Sequence, residues 1–84
     1  MPKPRKPRKT RASTRRERHA KIMRQITEER ARHAAKNREM ARAIDAAKQI
    51  GDHTAVSDLY ARRGAEHARH MAAMAKLEKR GREI

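Results

Sequence analysis

Eight of the 84 residues are Ile, Leu or Val, and neither Phe nor Trp occurs. That scarcity is the tightest constraint on the fold, because burial of large apolar side chains is the main term opposing chain entropy. The hydrophobic fraction is 36%, but sixteen of those residues are Ala, which brings little area to a core. With 40% charged residues, the composition lies close to that of chains that do not fold alone. Ala, Arg, Lys, Glu, Met and Gln nevertheless all favour helix. The expectation is one thin, readily helical, weakly packed domain.

Proline and glycine punctuate the chain clearly. Pro2, Pro4 and Pro7 fall in the first seven residues, and neither Pro nor Gly occurs between Arg15 and Ile50. Residues 1–14 read as a disordered basic arm, extended or polyproline-like where the prolines sit. Thr14-Arg15-Arg16-Glu17 fits a capping box, which predicts a first helix over 15–50. Gly51 is its natural stop, Asp52 or Thr54 the cap of a second helix over 55–80, and Gly81 the end of that helix. Acid-before-base pairs at four-residue spacing, such as Glu28/Arg32 and Asp58/Arg62, support both helices.

The predicted fold is all-α: an antiparallel hairpin of two long helices behind the arm, able to dimerise into a four-helix bundle. On the first helix a seam of Met23, Ile26, Arg30, His33, Asn37, Met40, Ile44 and Ala47 alternates spacings of three and four, as in a coiled coil. The facing stripe on the second is Val56, Tyr60, Gly64, His67, Met71, Met74 and Glu78, with Leu59, Ala68, Ala75 and Leu77 beside it. Facing residue numbers then sum to about 104, pairing Met40 with Gly64, Asn37 with His67 and His33 with Met71. Polar residues interrupt this seam away from the turn, so its open end is expected to be loose. His33 and His67 fall in it, which predicts loosening below about pH 6.5.

Charge divides unevenly. Residues 1–21 hold ten Lys/Arg and one Glu, a net +9 of the chain's +14. Arg outnumbers Lys sixteen to eight, and guanidinium binds phosphate bidentately. The basic track Lys3, Arg5, Lys6, Arg8, Lys9, Arg11, Arg15, Arg16, Arg18 and Lys21 runs from arm into helix. These are the candidate nucleic-acid-binding residues, suited to the phosphate backbone of duplex DNA or structured RNA. Tyr60 is the sole aromatic, so base stacking is not the expected mode. Lys3 to Lys9 resembles histone-tail and minor-groove-arm sequences. Ala12 to Lys21 resembles the arginine-rich motif of lambda-type N antitermination proteins, one Arg short before the Glu, and that resemblance implies a helix on hairpin RNA.

Other chemistry is sparse. The chain has no Cys, which removes disulfides and thiolate metal sites. His67 and His70, three apart, could draw His33 into a metal site, but His33 and His67 read better as seam residues and His70 as solvent-facing. No phosphate loop or nucleophile–base motif occurs, so neither enzyme activity, small-molecule substrate nor cofactor is expected. No apolar run approaches a membrane span. A cytoplasmic protein is expected, nucleoid-associated in a bacterium or phage and nuclear in a eukaryote. The competing expectation is a helical protein–protein interaction module with the arm as a localisation or solubilising tail.

Overall fold

The computed structural model describes the backbone of residues 11–84 and the side chains of residues 14–84. Among them are two helices and no strand: α1 spans Arg11–Gln49 and α2 spans His53–Arg82. They pack against each other as an antiparallel hairpin. At about 1.5 Å per residue they are roughly 58 and 45 Å long.

The turn is built as the sequence predicts. Gly51 takes φ +72°, a left-handed conformation that costs glycine nothing. The Gly51 amide donates to the Lys48 carbonyl at 3.1 Å and the Asp52 amide to the Ala47 carbonyl at 3.0 Å, the two bonds of a Schellman motif. Of the two candidate caps, Asp52 serves: its Oδ1 accepts from the Ala55 amide at 3.0 Å. Asp52→Ala should cost about 1 kcal/mol while Asp52→Ser costs little. Chemical denaturation of the two variants checks this; equal stabilities would remove the capping role.

Three boundaries differ from expectation. Helix α1 is already formed at Arg11, so Thr14 lies inside it and the capping box is not its start. Arg11 and Ala12 are good helix formers, and no breaker stands between Pro7 and Thr14 to stop the helix extending backward. The last four residues of the predicted arm are therefore helical. Helix α2 begins at His53 and runs through Gly81 to Arg82.

The seam differs more. On α1 the inward positions are Ile22, Ile26, Glu29, His33, Asn37, Met40, Ile44 and Ala47, so six of the eight predicted hold. Ile22 and Glu29 replace Met23 and Arg30, a one-residue rotation at the open end. On α2 the middle of the predicted stripe is turned outward, while Val56 is half-buried and Met74 buried, as predicted. Tyr60, Gly64 and His67 are exposed, and Met71 is 55% exposed. A Cβ on Gly64 would meet nothing within 4 Å, so Met40 does not fill that space. The stripe that faces α1 contains Leu59, Glu66, His70, Ala73, Met74 and Leu77. Leu59 and Leu77 are 18 residues apart, five full turns, and therefore share a face. Turning them inward sets the rotation of α2.

The hairpin also closes along the whole length of α2, contrary to the expected loose end. Ile22 and Met74, far from the turn, are buried along with Ile44 and Ala47. No side chain among the described residues is fully enclosed, so the core is as thin as the composition requires.

Between the apolar ends of the seam lies a polar belt. Arg69 Nη2 donates to Glu29 Oε1 and to Glu66 Oε1, both at 2.8 Å, and Arg69 Nε donates to Glu66 Oε2 at 2.8 Å. One guanidinium thus clamps a carboxylate on each helix. The His33 and His70 rings stack in parallel with centroids 3.9 Å apart. Beside them, His70 Nδ1 is 3.3 Å from Glu29 Oε1 and His33 Nδ1 is 3.6 Å from Glu66 Oε1. Asn37 Nδ2 donates to His33 Nε2 at 3.1 Å, which turns the other ring nitrogen, Nδ1, toward Glu66. The belt uses His33 and His70; His67, assigned to the seam from sequence, is the exposed member. Arg32 contacts Glu29, three residues back, at 3.4 Å, where the sequence pairs it with Glu28.

Candidate nucleic-acid interface

The antiparallel turn decides where charge collects. Because α1 is nine residues longer than α2, its first turns project beyond the end of α2. The last turns of α2 meet α1 around Arg18 to Ile22: Arg18, Lys21, Ile22 and Gln25 line a groove of about 350 Å³ with Arg80, Glu83 and Ile84. The open end therefore joins two stretches far apart in sequence, residues 14–25 and 76–84. Together they carry nine Lys/Arg against three Glu, a net +6, while residues 26–75 carry nine against seven acids, a net +2. Residues 1–13 add six more Lys/Arg and enter α1 at this end.

The predicted residues sort accordingly. Arg15, Arg16, Arg18 and Lys21 are exposed around the projecting turns of α1. Arg15 and Arg18 precede Ile22 by seven and four residues, so they continue the seam face, Arg18 beside the end of α2 and Arg15 one turn further out. Arg11 is helical in its backbone. Lys3, Arg5, Lys6, Arg8 and Lys9 lie outside the described residues. Sequence reasoning missed Lys76, Lys79, Arg80 and Arg82, all exposed on the closing turns of α2. The signal was available: folding at Gly51 brings residues near 80 beside residues near 21.

The two halves of this end differ in electrostatic cost. Lys79, Arg80 and Arg82 occupy the last turn of α2, where the helix dipole favours cations. The first turn of α1 holds one Arg, Arg11, and no acid, so it offers its dipole no compensating negative charge. An anion held there supplies that charge.

The polar belt is the other place where chemistry collects. Glu66 is held down to about 2, chiefly by the hydrogen bonds from Arg69. Burial pushes the Glu29 carboxyl up, but the hydrogen bonds from Arg69 and His70 outweigh it, so it too lies below its ordinary value of 4.5. Arg69 is correspondingly raised by its bonds to Glu66. Carboxylates with lowered folded-state values contribute stability above the unfolded value and lose it as pH falls. The thermal midpoint should therefore be insensitive to these groups above pH 4.5 and fall between pH 4.5 and about 2. Glu66→Gln should make that fall shallower. A wild-type midpoint that is flat through the window would overturn the assignment. Because the Arg69 side chain is 39% exposed, solvent screens the clamp and moderates the effect.

Among the described residues no group of three or more His, Cys, Asp or Glu is placed to hold a metal ion. Nor is any helix among them long and apolar enough to cross a membrane. Compared with protein-family models, curated proteins and solved structures, the chain matches none.

Proposed function

We propose that the chain is a small nucleic-acid-binding accessory protein, architectural or regulatory, that holds the phosphate backbone of duplex DNA or structured RNA. The reading rests on one observation: the hairpin gathers nine Lys/Arg from both of its helices at the end where the basic residues 1–13 enter. Contact would then involve Arg15, Arg16, Arg18 and Lys21 from α1, Lys79, Arg80 and Arg82 from α2, and the Lys/Arg of residues 3–11. The rest of the hairpin acts as a spacer that fixes the angle between these groups. Arginine in excess of lysine suits bidentate phosphate contact. Absence of stacking aromatics at this end favours backbone and shape recognition over base reading. The protein would work by binding, not catalysis, in the compartment that holds its polyanion.

Titration of the protein into duplex DNA and hairpin RNA at two salt concentrations tests the proposal. An association indifferent to salt overturns it, and the ratio of the two affinities assigns the nucleic acid.

A further inference from the structure

The hairpin has two unlike faces. One is charged, with its grooves bordered by Lys36, Glu39 and Arg62 and by Glu28, Arg32 and Lys76. The other carries Met23 and Ile26 beside Glu78 and Arg82 at the open end, Lys48 over the Tyr60 ring at the turn end, and the uncharged outward stripe of α2 between them. That stripe is Tyr60, Gly64, His67, Met71 and Ala75, at spacings of four, three, four and four, and every member is exposed. No charged residue falls on it. Tyr60 and Met71 are 46% and 55% exposed, and the space over Gly64 is empty to 4 Å.

We propose that this face is covered by a second copy of the chain, packed antiparallel about a two-fold axis passing between His67 and Ala68. The stripe is self-complementary about that point, as an isologous interface requires. Facing residue numbers then sum to 135, which sets Tyr60 opposite Ala75 and Met71 opposite Gly64. Each large exposed side chain meets a small one, and Gly64 gains the packing reason that its own hairpin does not supply.

Charge selects the same arrangement. All three aspartates, Asp45, Asp52 and Asp58, lie within seven residues of the turn. An antiparallel pair lays the Lys79–Arg82 turn of each copy over the Asp52–Asp58 turn of the other. A parallel pair would stack two ends of net +6. The result is a four-helix bundle with its basic ends at opposite poles.

Sedimentation equilibrium of the full chain should return twice the 9.7 kDa chain mass. Gly64→Leu and Met71→Glu should each weaken dimerisation at least about tenfold, with helicity by circular dichroism retained because neither position packs in the hairpin. The chain has no Cys, so single cysteines report orientation. Ala68→Cys, at the axis, should cross-link to a dimer on oxidation. Ala75→Cys should not, since its counterpart lies fifteen residues away, about 22 Å. A single-chain mass at about 100 µM overturns the proposal. So does a dimer indifferent to both face variants, or one cross-linked equally at positions 68 and 75. None of these readouts involves nucleic acid, so failure here leaves the binding proposal standing.

Discussion

Affinity for duplex DNA should fall about 10³–10⁵-fold between 50 and 200 mM salt if the open end neutralises six to ten phosphates. The exposed Lys/Arg of both helices, together with the six Lys/Arg in residues 3–11, are enough in number for that many contacts. Each neutralised phosphate releases a condensed counterion, and the slope of log affinity against log salt counts them. Two variants locate the contacts. Deleting residues 2–10 removes five Lys/Arg while leaving α1 intact from Arg11, and should flatten the slope by about five. Replacing Lys79, Arg80 and Arg82 by Gln should flatten it by two or three, although these residues lie more than fifty positions from the arm. The same change at Arg42, Arg62 and Arg63, near the turn, should leave the slope nearly unchanged. Equal slopes for all three sets would mean that the charge acts diffusely, and the assigned interface would be wrong.

The second large effect concerns the hairpin itself. Ile44 is the most buried of its core residues, at 4% exposure. Ile→Ala at such a site costs about 2–5 kcal/mol in lost transfer energy and cavity. Stability at the usual scale of about 0.05–0.15 kcal/mol per residue leaves a chain this size only some 4–12 kcal/mol in total. Ile44→Ala should therefore strip a large part of the stability and leave the protein substantially unfolded near body temperature. Ile50 provides an internal control, since it is 79% exposed at the turn. Ile50→Ala should change stability by less than about 0.5 kcal/mol. Urea unfolding of both variants measures the contrast; equal losses would mean that Ile44 does not close the seam.

The turn and α1 were readable from the sequence because local chemistry decides them. A left-handed residue needs Gly51, the cap needs Asp52, and the three-and-four alternation of Ile26, His33, Met40, Ile44 and Ala47 needs only the helical period. The face of α2 was not read correctly, for an identifiable reason. With Ala at six of the positions between 60 and 75, several stripes carry similar apolar content. Met71, Tyr60 and Gly64 outweighed the two leucines, whose five-turn spacing was the better guide. The clamp of Glu29 and Glu66 by Arg69 was not legible, since charge on a helix reads as solvated surface until the partner helix is in place. The basic end was half legible: its α1 portion stood out as a run, while Lys79, Arg80 and Arg82 joined it only once the fold-back was drawn.

The polar belt also settles a question that apolar contacts alone leave open. A seam of alanine, methionine and isoleucine is nearly uniform along its length, and apart from the short Gly51–Asp52 turn nothing apolar stops one helix sliding a turn past the other. The belt forbids it. Slipping α2 by four residues one way sets Ala65 and Glu66 opposite Glu29, in place of Arg69 and His70. Slipping it the other way sets Ala73 and Met74 there, neither of which offers a side-chain hydrogen bond. Both carboxylates that Arg69 now joins would lose that shared donor or confront each other. These few charges work as a detent, holding two otherwise interchangeable rods at one mark, and that mark aligns the basic turns of the two helices at the same end.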